Sequence, residues 1–259
     1  MHQAWPKFAA SLLMKTQEEG IAVVAYAPCT ASFQSGAVDV QLRVETEYPF
    51  RDRIKILVTC SEPVDFPLQL RIPKWATRAQ IEVGGEVFLP SAESYYPLTR
   101  EWSGTTEVIL TLPMQARSSR RYRGALAIER GPLVYSLKMG EEWTRINHDL
   151  PCREEPHADY EVRPTTPWQY ALQFDEARPE ASIQFEEHAL GALPFSPEGA
   201  PVSARVQGKR IRWNLQHGWA GNTPKSPVET ARIESDQVED LTLIPYGCTN
   251  LRVTEFPTL

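Results

Sequence analysis

Apolar and polar positions alternate along most of this chain, and the rhythm changes only at its start and near its middle. The first residues keep a helical period. Trp5, Phe8, Ala9, Leu12 and Leu13 stand at i, i+3, i+4, i+7 and i+8, a single apolar stripe on a helix. Pro6 suits the first turn, where its missing N–H goes unmissed. No second strong helix follows for the stripe to meet, so the pattern predicts one short, unpartnered helix over residues 1–19.

At Gly20 the period becomes that of strands. IAVVAYAP (21–28) is a continuous apolar run and predicts a strand buried on both faces. VDVQLRVETEYP then alternates strictly, with Val38, Val40, Leu42 and Val44 on one side and Asp39, Gln41, Arg43 and Glu45 on the other. RIKILVT repeats this with Ile54, Ile56 and Val58, and FPLQLRIP with Phe66, Leu68, Leu70 and Ile72. Ile81 and Val83 lead into Gly84-Gly85, a compact hairpin signal. REWSG, after YYPL, reads as a loop before EVILTLPM, which turns Val108, Leu110 and Leu112 inward. ALAIE and PLVYSL meet at Arg130-Gly131-Pro132. Half-buried strands at such spacing predict a first β-sandwich over residues 20–140.

From Glu141 to Pro167 the chain is rich in Pro, Glu, Arg and His and the periodicity fades, which predicts a connecting stretch. Strands resume with WQYALQF, ASIQF, PVSARVQG, KRIRWNL, DLTLIPYG and LRVTEF, a second, smaller β domain within 141–259. The fold class is therefore all-β: two β-sandwich, jelly-roll-like domains preceded by one short N-terminal α-helix. No fixed-period repeat appears.

Composition narrows the function classes. With 259 residues the chain can bury a proper core. Its formal net charge of −6 argues against a nucleic-acid partner, which wants a basic face. No apolar run reaches membrane-spanning length, and no basic-apolar-small leader is present, so the expectation is a cytoplasmic protein with no membrane partner. Cys29, Cys60, Cys152 and Cys248 are scattered without a C-x-x-C pair and read as buried reduced thiols. The 22 prolines against 14 glycines suit short strands with blunted edges.

The chemical candidates are few. Glu18-Glu19, Glu141-Glu142, Glu154-Glu155 and Glu186-Glu187 are adjacent acids, but strand neighbours point to opposite faces, whereas a glycosidase dyad must face across a sugar. His2, His148, His157, His188 and His217 show no metal spacing. There is no G-x-S-x-G elbow and no Gly-rich phosphate loop. RSSRRYRG (117–124) is the one basic cluster; it suits a phosphate or carboxylate, but in an acidic protein the better reading is pairing with acids along a sheet edge. Trp102 in REWSG and Trp219 in HGWAGNTPKSP are the carbohydrate-contact candidates, against the competing reading of plugs over the end of a core. No catalytic, cofactor-binding or metal-binding residue emerges.

LRIPKWATRAQIEVGGE, the EW stretch, LTLPM and AIERGPLVYSL together resemble the β region of glycoside hydrolase family 127, typified by β-L-arabinofuranosidases. HQAWPKFAASLL resembles the helix that closes the catalytic barrel in one branch of that family, and LIPYGCTNLRVTEFP its terminal strands. The resemblance spans the chain and is strongest from Tyr48 to Leu137. It implies an (α/α)6 barrel followed by β-sandwiches, and a retaining hydrolysis in which a zinc-bound cysteine attacks the anomeric carbon and a glutamate is the acid/base. It places those groups, zinc included, in the barrel, with a Cys-Cys pair just ahead of the helix matched by Trp5 to Leu13. None of the four cysteines here has that context, so no catalytic residue and no cofactor is expected in this chain.

Two functions follow from these readings. One is the non-catalytic C-terminal β portion of a family 127-like hydrolase, inactive alone, its helix meeting a separate barrel chain or a second copy. The other is a stand-alone β-sandwich module that binds carbohydrate or protein. A coding sequence for a barrel immediately upstream would favour the first.

Overall fold

A computed structural model describes residues 4–259 and divides into two compact units, Met1–Met114 and Gln115–Leu259. The architecture is all-β, of curled antiparallel sheets in sandwich-like arrangement, with one short N-terminal helix.

The first unit opens with α1 (Ala4–Ala10). The helix is shorter than its apolar stripe. Ser11 caps it by donating its hydroxyl to the Lys7 carbonyl, and the Leu12 carbonyl is taken by the Val24 N–H at 2.9 Å. Leu12 is thereby buried and Leu13 starts β1 (Leu13–Lys15), so both leave the predicted helix. Burying a leucine is worth roughly 1.5–3 kcal/mol, more than one further exposed turn of helix can offer. Residues 1–3 of the predicted 1–19 helix, His2 among them, lie outside the described residues.

The strands β2 (Ile21–Val23), β3 (Cys29–Ser35), β4 (Val38–Thr46), β5 (Arg53–Ile72), β6 (Gln80–Val83), β7 (Glu86–Phe88) and β8 (Ser94–Thr111) join β1 in one eight-stranded sheet. Its axis is the long β5–β8 hairpin. The pairing runs from Arg53↔Thr111 to Cys60↔Gly104, then resumes at Val64↔Trp102, so residues 61–63 face Ser103 alone. Such excess bends a strand. Before the corner β5 pairs with β4, and beyond it with β2 in parallel. Ile54, Ile56 and Val58 on one arm and Phe66, Leu68, Leu70 and Ile72 on the other all point into one core, joined by Val40, Leu42, Val44, Ile81, Val83, Val108, Leu110 and Leu112. The alternation therefore predicts the core face correctly throughout this unit. Gly84 and Gly85, both at positive φ, make the β6–β7 turn. Gly20 admits β2 to the sheet, since a Cβ there would stand 2.4 Å from the Pro67 carbonyl oxygen.

REWSG is not a loop. It lies inside β8, where the hairpin continues past the corner.

The second unit contains β9 (Ala116–Arg120), β10 (Leu126–Arg130), β11 (Leu133–Leu137), β12 (Glu141–Ile146), β13 (Asp159–Pro164), β14 (Tyr170–Gln173), α2 (Pro179–Ser182), β15 (Ile183–Glu187), β16 (Val202–Arg210), β17 (Leu215–Gln216), β18 (Trp219–Ala220) and β19 (Glu239–Pro245). The main sheet runs β14-β16-β19-β11-β10-β9, with β15 also on β16. The ALAIE and PLVYSL strands, expected in a first domain reaching residue 140, are β10 and β11 of this sheet. They pair with β9 and β19, which moves the division to Met114/Gln115. The predicted connecting stretch holds a two-stranded ribbon, β12–β13. LRVTEF is no strand; of it only Phe256 bridges, to Leu126.

Candidate functional site

The sequence candidates separate on inspection. Trp102 is fully buried, its indole N–H donating to the Phe66 carbonyl at 2.9 Å and its ring stacked on Phe66. The Arg100 guanidinium lies 5.7 Å from its ring centre. No face of it is left for a sugar, and its expected role as a carbohydrate contact is corrected to that of a core residue. Trp219 is the opposite case: it is 78% exposed, in the β17–β18 hairpin, paired across from Gln216.

The adjacent acids form no facing dyad. Glu186 pairs with Arg205 at 3.7 Å and Glu187 with Arg130 at 2.7 Å, while Glu155 accepts from the Tyr160 hydroxyl. One Glu141 oxygen accepts from the Trp143 indole at 3.0 Å and from Asn250 at 2.9 Å. That network lies along an open groove of about 810 Å³ which Glu198, Asp240 and Tyr170 also line. Sequence reasoning missed it, because the groove draws on five separated stretches of the chain.

A zinc-bound thiolate does not fit these residues. Among the described residues no three of His, Cys, Asp and Glu converge. Cys60 and Cys248 are buried, Cys152 exposed, and Cys29 between. Burial raises the thiols of Cys29 and Cys60 and pushes that of Cys248 up to about 11, which holds them protonated. Cys248 donates to the Pro194 carbonyl at 3.2 Å.

The basic cluster divides in two. Arg117 and Arg121 pair with Glu129 at 2.9 and 3.3 Å, and Arg120 pairs with Glu176, the sheet-edge pairing the sequence suggests. Arg123 does otherwise. It sits at φ 57°, in the left-handed region that a bulky residue seldom adopts. One of its nitrogens donates to the Thr223 carbonyl at 3.3 Å, and among the described residues no carboxylate lies within ion-pairing distance.

Arg123 lines a cavity of about 290 Å³ with Arg232, Trp213, Asn214, Gln216 and Asn222. Its walls are tied together by hydrogen bonds. The Trp213 indole donates to the Gly221 carbonyl at 2.8 Å, the Gly221 N–H to Asn214 at 3.2 Å, and the Arg212 N–H to Arg232 at 2.8 Å. Gly221 is required there, because a Cβ would stand 2.6 Å from the Asn214 carbonyl oxygen. Arg232 donates to the Arg212 carbonyl at 3.2 Å and also has no carboxylate partner among the described residues. The lining offers guanidinium and amide groups and no carboxylate.

Comparison with known proteins adds a likeness to one family. Residues 20–114 match the family model of the β-L-arabinofuranosidase GH127 middle domain. No protein of curated function matches the chain in sequence. Among solved structures, a GH127 β-L-arabinofuranosidase from Geobacillus stearothermophilus is similar with a TM-score of 0.63 at 20% identity, over 96% of this chain and 35% of that one. A protein described as a glycoside hydrolase is similar with a TM-score of 0.60 at 17% identity, over 94% and 36%. A further GH127 β-arabinofuranosidase gives 0.59 at 18%, again over 94% and 36%. At such identities the likeness is one of fold, and the chain spans about a third of the length of those structures. Over residues 20–114 the chain is therefore similar to the middle domain of the GH127 β-L-arabinofuranosidases, and over nearly its whole length it shares the fold of part of such enzymes.

Proposed function

We propose that this chain is the non-catalytic β portion of a GH127-type glycoside hydrolase and does not turn over glycosides by itself. The parent activity in this reading is retaining hydrolysis of β-L-arabinofuranosides or related glycosides. The observation that carries it is the coincidence of the middle-domain match with a fold likeness over 96% of this chain but 35% of a solved GH127 enzyme. The chemistry of the four thiols agrees, since three are held as neutral thiols by burial. The reacting thiolate, its zinc and the acid/base would then come from a helical barrel. The exposed Trp5 and Phe8 of α1 are the residues through which such a barrel, or a second copy of the chain, would dock.

The test is direct. The purified chain is assayed on an aryl β-L-arabinofuranoside and on other aryl glycosides, with and without added zinc. The expected result is hydrolysis no faster than in buffer. Zinc-dependent turnover, abolished by replacing any of Cys29, Cys60, Cys152 or Cys248, would overturn the reading.

A further inference from the structure

The cavity lined by Gln216 of the β17–β18 hairpin holds two features that the hydrolase reading leaves unused, the one arginine of the basic cluster without an acid and that arginine's left-handed backbone. The exposed Trp219 is outside the lining but pairs with Gln216. In a protein of net charge −6, two guanidinium groups that line one cavity with no carboxylate in its lining make a locally positive site. A strained backbone at the same place marks a position that the surrounding structure holds on purpose. The Ser226 N–H donates to the Arg123 carbonyl at 2.9 Å, which helps fix that conformation.

We propose that this cavity binds a carboxylate-bearing sugar, a hexuronate or the uronate end of an acidic oligosaccharide. Each arginine commits one nitrogen to a backbone carbonyl, and Arg123 also lies over the Tyr122 ring at 5.5 Å, a contact with the guanidinium face that leaves the edge of the fork, the part that matches a carboxylate. Asn214, Gln216 and Asn222 present amides, which both donate and accept and so suit ring hydroxyls. The volume, about 290 Å³, takes one sugar ring and not a chain. Trp219, across the hairpin from Gln216, supplies an aromatic face for a neighbouring ring. The inference does not rest on the hydrolase reading, and neither falls with the other.

Calorimetric titration of the intact chain with galacturonate, galactose and acetate tests it. Galacturonate is expected to bind about tenfold or more tightly than either of the others, and more weakly as salt is raised. Arg123→Gln and Arg232→Gln should each weaken it by about tenfold or more, with the fold intact by circular dichroism. Arg117→Gln, which touches Glu129 instead, should leave it unchanged. With digalacturonate, Trp219→Ala should lose affinity and the quenching of tryptophan fluorescence. Equal binding of acetate would make the site one for simple anions and overturn the proposal. Equal binding of galactose, indifference to both arginine changes, or no binding of galacturonate would overturn it as well.

Discussion

At the scale of single residues, two tryptophans in similar sequence surroundings have opposite fates. Trp102 and Trp219 both sit beside glycine and polar residues, and REWSG reads as readily as a loop as HGWAG does. What separates them is parity. Trp102 stands an even number of positions from Leu98, Val108 and Leu110, all buried in the same strand. The signal was therefore present, but it becomes visible only once the strand is known to run unbroken past the corner. Trp102→Phe should cost about 1–3 kcal/mol, because the buried Phe66 carbonyl loses its donor. The urea midpoint reads this directly. Cys248 gives a pH-dependent counterpart. Its thiol titrates near 11 in the fold against 9.0 when unperturbed, so the folded state holds the proton more tightly. Stability from this group is complete below pH 9 and falls as pH rises towards 11, by on the order of 2 kcal/mol. Urea unfolding of the wild type and Cys248→Ala across that interval should show the steeper decline in the wild type. Parallel declines would remove Cys248 as the cause.

At the scale of elements, strands with a buried face were legible and those without one were not. β4 and β5 announce themselves because a slip of one residue would expose every inward side chain. The β12–β13 ribbon is largely exposed on both sides, so no alternation marks it and its residues read as connection. The N-terminal helix shows the limit of the opposite signal. Its stripe has the right period, yet Leu12 gains more by leaving it. This splits the segment for experiment. Removing residues 1–10 takes away the exposed Trp5 and Phe8 and should leave the urea midpoint almost unmoved, within about 0.5 kcal/mol. The same cut should lower any self-association seen by sedimentation. Removing residues 1–19 also takes Leu12 and β1 and should cost several kcal/mol, on the order of a lost core leucine and strand. Equal losses from both cuts would mean that α1 is held as firmly as β1.

At the scale of the whole molecule, the division into units was the least legible feature. The composition changes near Gly140 and predicts a boundary there, but hydrogen bonding decides membership. β10 and β11 belong to β9 and β19, which no local pattern reveals. In the first unit the same hairpin supplies both arms of the core, and this decides where the chain can vary in length. An extra residue within a straight arm of β5 turns the side chains beyond it inside out. An extra residue at 61–63 joins a stretch already in excess over its partner and leaves both arms in phase. A glycine inserted after Glu62 should therefore leave the urea transition cooperative with little change in midpoint, while one inserted after Ile56 should abolish it. The corner acts as an expansion joint, the place where this domain can gain or lose a residue and keep the same interior.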